Sequence, residues 1–167
     1  MRGVSGIAMI KTFLVAGAAL LAAVQAPGAA RADAVISGPA CVHDGNTLQI
    51  GGSMKKDKCW GGIDVRLHGS IAPRLTATCT DSAGGVWKCG EIAKTALIGL
   101  IRRRSISCYH IDGEFDGTVP VVTCISGRRD LALDMVTKGL AKALHDQSKR
   151  YEIEEKDAIK NKRGLWR

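Results

Sequence analysis

Aromatic residues are scarce, at 4% of the 167-residue chain. Stacking platforms for nucleic-acid bases are therefore sparse. No C-x-x-C or H-x-x-x-H pair occurs, which removes the usual spacings of a zinc site. Beyond residue 24 no apolar run approaches the ~20 residues that a bilayer core requires, so no membrane span is expected. Acidic residues are missing from the whole N-terminal stretch before Asp33. What remains is ordinary globular composition: 46% hydrophobic and 24% charged, with 20 glycines that imply many turns. That balance excludes wholesale disorder, and the length suits one domain.

The N-terminal stretch has its own pattern. Arg2 and Lys11 precede a nearly continuous apolar run over residues 12–24. Pro27 and Ala30-Arg31-Ala32 follow, an A-x-A cleavage pattern. Residues 1–32 read as a secretory signal peptide, and the run is too short to anchor in a membrane. Removing Arg2, Lys11 and Arg31 lowers the net charge from +8 to +5 for residues 33–167. A mildly basic surface is compatible with a polyanion and is also a plain solubility device. The expected location is the periplasm or the medium.

All six cysteines follow the leader: Cys41, Cys59, Cys79, Cys89, Cys108 and Cys124. An even count in an exported chain reads as a disulfide framework, with about 15 possible pairings.

Periodicity gives the elements. Residues 35–42 are β-prone and broken at Gly38-Pro39, Asp44-Gly45 is a turn, and residues 47–50 alternate. Residues 51–62, with Lys55, Lys56 and Lys58, read as a polar loop. Residues 63–68 alternate again, and the three strands suit a meander. Residues 76–85 are irregular. Ile92, Ala93, Ala96, Leu97, Leu100 and Ile101 recur at helical spacing. Arg102, Arg103 and Arg104 close that helix, where cations complement the C-terminal dipole; a phosphate patch is the sharper reading. Two strands, 106–111 and 119–125, are joined by a polar link over 112–118. Asp130 N-caps a helix through Lys138 that Gly139 stops. A last helix over 149–161 carries Tyr151, Ala158 and Ile159 on one side. Gly164 then lets Leu165-Trp166 fold back as an apolar clip, with Trp166 buried. The class is α+β, and five strands with capping helices suit a small Greek-key barrel such as the OB-fold.

Several segments, in order, resemble the thermonuclease (staphylococcal-nuclease-like) family. Asp44-Gly45-Asn46-Thr47 is similar to its D-G-D-T turn, and residues 65–74 to its V-R-L-x-G-I-D-A-P-E segment. Cys79, Trp87-Lys88-Cys89-Gly90 and Ala93 resemble the cysteine pattern of exported bacterial members. Asp130-Leu131, Met135-Val136, Gly139-Leu140-Ala141, Tyr151, Glu155, Ala158 and Gly164-Leu165-Trp166 resemble the family's closing helices. The likeness covers nearly all of residues 41–166. It implies a five-stranded OB-fold-type β-barrel with three helices, and disulfides Cys79–Cys89, Cys108–Cys124 and Cys41–Cys59.

The same resemblance implies a damaged site. Members of the family cleave DNA and RNA with Ca²⁺. The calcium aspartates align with Asn46 and Ile71, the base glutamate with Arg74, and a later phosphate-clamping arginine with Gly117. The substrate-contacting lysine and tyrosine of that turn align with Glu114 and Phe115. Only Arg66 is retained. Losing one oxyanion-type donor typically costs ~10²–10³ in rate, so several losses together leave little catalysis. The expectation is a monomeric pseudo-nuclease with no cofactor and no metal. It would bind nucleic acid or another anionic ligand through Arg66, Arg74, Thr47, Asp44 and His68. Two other readings stand beside it: a metal-dependent phosphodiesterase with a rewired site, and a disulfide-stiffened structural envelope protein. Asp64, Arg66 and His68 share a strand face near His43, an arrangement that would allow a repurposed metal or anion site.

Overall fold

The computed structural model describes residues 36–167 except Asp57 and Arg103, and omits the side chains of residues 112–115. The expected signal peptide lies outside the described residues.

In chain order the elements are β1 (Ile36–Gly38), β2 (Ala40–Val42), β3 (Thr47–Ile50), β4 (Ser53–Lys55), β5 (Lys58–Trp60), β6 (Ile63–Leu67), β7 (Ser70–Ile71), β8 (Cys79–Thr80) and β9 (Val86–Trp87). Helix α1 (Cys89–Ile101) follows, then β10 (Ile106–Asp116), β11 (Val119–Ser126), β12 (Arg129–Asp130), α2 (Leu131–Thr137), β13 (Lys142–Ala143), α3 (Glu152–Lys160) and a 3-10 turn, Gly164–Trp166. The described residues are α+β, with three α-helices and a seven-stranded sheet in the order β1-β10-β11-β6-β3-β2, β12 pairing with β11. The β11–β6 pair is parallel, and the other ladders are antiparallel. Among the described residues no ladder joins β1 to β2, so the sheet is not closed.

Alternation explains which face is buried. Leu48 and Ile50 of β3, and Val65 and Leu67 of β6, point into the core, while Thr47, Gln49, Asp64 and Arg66 do not. Helix α1 covers that core with Ala93, Leu97, Leu100 and Ile101. Ile92, expected on the same face, is 42% exposed; it lies one position, about 100° of helical rotation, away from Ala93.

Asp130 caps α2 as expected, its carboxylate accepting from the Ala132 and Leu133 amides. The cap is tied to the last helix, because the buried Tyr151 hydroxyl donates to Asp130 Oδ2 at 3.0 Å. Burial and the Asp130 carboxylate push the Tyr151 hydroxyl well above its usual pKa. Gly139 and Gly164 meet back to back, both at positive φ. A Cβ on either would lie 2.2 Å from a carbonyl oxygen. Leu165 N–H donates to Gly139 O at 2.7 Å and closes the chain there.

Disulfides join Cys41–Cys59, Cys79–Cys89 and Cys108–Cys124, the pairs that the resemblance implies. Such bonds persist in oxidising compartments. No described helix is long and apolar enough to cross a membrane.

Several sequence expectations need correction. Residues 76–85 are not wholly irregular, because Cys79–Thr80 pairs with Val86–Trp87 in a short hairpin. Residues 51–62 are not simply a loop: β4 and β5 form a hairpin there, stapled to β2 by Cys41–Cys59. Residues 112–118 are not a polar link, because β10 runs on to Asp116 with its register shifted between His110 and Phe115. Pairing with β11 overrides the local polarity. The last helix begins at Glu152 rather than residue 149, so Tyr151 precedes it, and Ile159 is exposed while its neighbour Ala158 takes the buried face. Trp166 is only partly buried. Its ring lies under Lys142 Nζ, 5.3 Å from the ring centre, and the backbone of Leu165, not the indole, makes the anchoring bond.

Candidate functional site

The turn after β2 is built by one carboxylate. Asp44 Oδ1 accepts from the Asn46 and Thr47 amides at 2.7 and 2.8 Å, an Asx-type turn. Gly45 is required by close approach, since a Cβ would lie 2.7 Å from the methyls of both Ala72 and Ala93. The turn therefore rests directly on α1 and on the segment after β7. Leu67 N–H donates to Asn46 O at 3.0 Å and ties the turn to β6.

Beside this turn is a cleft of about 460 Å³. Asp44, Asn46 and Thr47 form one wall, Ser70, Ile71, Ala72 and Arg74 another, and Leu144 and Gln147 a third. Arg66 and Asp116 also line it. Arg66 sits mid-sheet, opposite Thr47 of β3 and Val121 of β11. It forms an ion pair with Asp116, while its Nε is buried without a hydrogen-bond partner among the described residues. Asn46 is buried, and its side-chain oxygen accepts from the Ser70 hydroxyl at 3.1 Å. Ile71 is 49% exposed and pairs with Lys142 of β13. Gln147 Oε1 accepts from Gly69 N–H at 3.2 Å, fastening the third wall to the loop after β6.

The structure thus brings together Asp44, Asn46, Thr47, Arg66, Ile71 and Arg74. It separates His68, which lines a different depression with Tyr109 and Arg150. His68 follows the end of β6, and its N–H donates to Val122 O. Its side chain is buried and no longer shares the cleft's face. The suggested cluster of His43, Asp64, Arg66 and His68 does not form. His43 Nε2 lies 3.0 Å from Asp64 Oδ1, and Arg66 turns to Asp116. Among the described residues no three His, Cys, Asp or Glu side chains are grouped to hold a metal. Gly117 occupies the exposed turn after β10 at φ +64° and does not line the cleft.

Sequence reasoning missed Asp116, Ser70 and Gln147. Asp116-Gly117 is a hairpin dipeptide and signalled that β10 extends to the turn. Nothing local to Ser70 or Gln147 announces a role, because both act across long sequence separations. The mouth is also not simply cationic: Arg66 and Arg74 face Asp44 and Asp116.

No protein-family model matches the chain, and no curated protein matches it.

Proposed function

We propose that this chain is an exported, thermonuclease-like domain of OB type whose cleft binds an anionic ligand without cleaving it. The sheet supports the barrel element of this reading. β1 and β2 are separated only by Pro39, yet they pair with β10 and β3 at opposite ends of the strand order. One bent stretch of chain therefore reaches both edges, as a partly open Greek-key barrel requires.

The observation that carries the non-catalytic reading is the chemistry of the cleft wall. Calcium takes six to eight oxygen ligands, usually including carboxylates. Asn46 is neutral and its oxygen is engaged by Ser70. Ile71 presents hydrocarbon. Asp44 Oδ1 is committed to two amides, and Asp116 is paired with Arg66. These residues do not fit the calcium of the resembled family, and no step through a metal is derived. Arg74 presents a guanidinium, a hydrogen-bond donor with no acceptor, where the resembled family has its base.

Arg66 and Arg74, with the Thr47 hydroxyl on the facing wall, leave a place for a phosphate or carboxylate group. An incoming anion competes with Asp116 for Arg66, so binding is modest and weakens as salt rises. Anisotropy of a labelled single-stranded DNA oligonucleotide, titrated with the purified protein at several salt concentrations, tests this. Salt-sensitive binding that Arg66→Ala reduces is expected. Binding indifferent to Arg66→Ala, or none at low salt, would favour the structural envelope reading.

A further inference from the structure

We propose that a second site, the groove between α1 and the β4–β5 hairpin, binds a free amphiphile with an aliphatic tail and one anionic head, of the fatty-acid class. The groove encloses about 500 Å³, within the range of small-molecule sites. Ala40, Val42, Ile98 and Ile101 give it an aliphatic lining, and Met54 and the sulfur of Cys41 complete one side. Among the described residues, Arg102 is the only charged one that lines it. No lining residue is shared with the cleft around Arg66, so this inference does not depend on the thermonuclease-like reading.

Two features of the end of α1 shape the groove. Gly99 lies in the last turn of the helix, where glycine is a poor helix former. A Cβ there would meet nothing within 4 Å, so no described neighbour demands its absence. Gly99 is exposed and, having no side chain, leaves that edge of the groove open. Arg102 then caps the helix in the left-handed region, at φ +36° and ψ 61°, where glycine is the usual residue. Its Nε donates to Gly99 O at 3.1 Å, which fixes the guanidinium at the groove's end. A guanidinium so held presents its remaining N–H groups to a carboxylate as a fork.

The walls suit a flexible tail. Met54 is 50% exposed and Ile98 45% exposed, leaving apolar surface that a tail would cover. Met54 Sδ lies 3.9 Å from Cys41 Sγ, and the Cys41–Cys59 bond holds the hairpin beside the helix. An unbranched thioether adapts to an irregular apolar partner.

The test titrates the purified protein with dodecanoate below its micellar concentration, following the Met54 methyl by NMR and the affinity by calorimetry. Saturable one-to-one binding that shifts Met54 is expected. Dodecyltrimethylammonium, with the same tail and opposite head, should bind at least about tenfold more weakly, and Arg102→Gln should weaken dodecanoate by about tenfold without changing dodecanol. Gly99→Leu should set a bulky side chain across the groove and abolish binding. Should that variant fail to fold, Ile98→Glu, at an exposed position, should repel the carboxylate instead. Equal binding of both head groups, an unshifted Met54 methyl, or full binding by the folded filled-groove variant would overturn the proposal. So would a dimer in sedimentation that Gly99→Leu dissociates, which would assign the groove to a second copy of the chain.

Discussion

At the scale of single residues, Asp116 decides how much of Arg66 a ligand can reach. Both partners are substantially exposed, so the pair adds little to stability, but it neutralises the cleft's central cation. Asp116→Asn should therefore tighten binding of single-stranded DNA and steepen its logarithmic salt dependence by about 0.7, one further phosphate contact. Anisotropy at a series of salt concentrations would show this, and a weaker-binding variant would mean that Asp116 assists the ligand. A second focus is Asp130. Asp130→Ala removes the α2 cap and leaves the buried Tyr151 hydroxyl without its acceptor. The loss should be about 2–4 kcal/mol in urea unfolding, about 1 from the cap and about 1–3 from the orphaned hydroxyl. The raised Tyr151 pKa adds a pH dependence whose sign is fixed. Below about pH 10 both the folded and unfolded chains keep this phenol protonated, and it contributes no slope. Above that, the unfolded chain releases the proton while the folded chain keeps it. The unfolded state then binds fewer protons, so stability falls as pH rises. Tyr151→Phe should flatten this fall from about pH 10 upward; an unchanged slope would place its origin elsewhere.

At the scale of elements, the β4–β5 hairpin depends on its staple. Its residues are largely exposed, so little apolar burial holds it. Replacing Cys41 and Cys59 by serine should destabilise the protein by about 3 kcal/mol and raise amide exchange in residues 53–60, with the Arg66 cleft intact. Slow exchange that survives would show that the ladder holds itself. Trp166 behaves as a rim residue, so Trp166→Ala should cost only about 1–2 kcal/mol, in the middle of the usual range for substitutions. The larger loss expected of a buried tryptophan, about 3–5 kcal/mol, would mean that the tail packs more deeply.

The same elements show what was legible in the chain. Strands β3 and β6, helix α1 and the Asp130 cap announce themselves through alternation, helical spacing and a side chain that serves its own backbone. The hairpin at Ser53–Trp60 does not, because its lysines resemble a solvated loop and its partner is a distant cysteine. The second half of β10 is marked only by its closing Asp116-Gly117 dipeptide: acidic, glycine-containing sequence becomes strand through pairing with β11. In the cleft, the turn residues Asp44 to Thr47 and Arg66 could be singled out from sequence. The engagement of Asn46 by Ser70 and of Arg66 by Asp116 could not, since each joins residues distant in sequence.

At the scale of the whole molecule, a framework closed by three disulfides presents a cleft with the shape of a site and few of the groups that phosphodiester cleavage requires. The chain's net charge of +8 favours association with polyanions in general, so binding alone does not distinguish a working nuclease from a binding module. Activity does. The shortest route back to catalysis, on the resemblance, is the fourfold change Asn46→Asp, Ile71→Asp, Arg74→Glu and Gly117→Arg. Variants that leave Arg74 should stay inert for want of a base. The Gly117 change also costs about 1 kcal/mol, because that position is left-handed, so any recovered activity should be weak.

The most direct measurement is cleavage of DNA and RNA by the purified protein in millimolar Ca²⁺, Mg²⁺, Mn²⁺ or Zn²⁺, beside a mock purification and a chelator control. No cleavage above the mock is expected with any of these ions. Metal-dependent cleavage that chelator and Arg66→Ala both abolish would contradict the non-catalytic reading and assign the metal to Asp44 and Asp116.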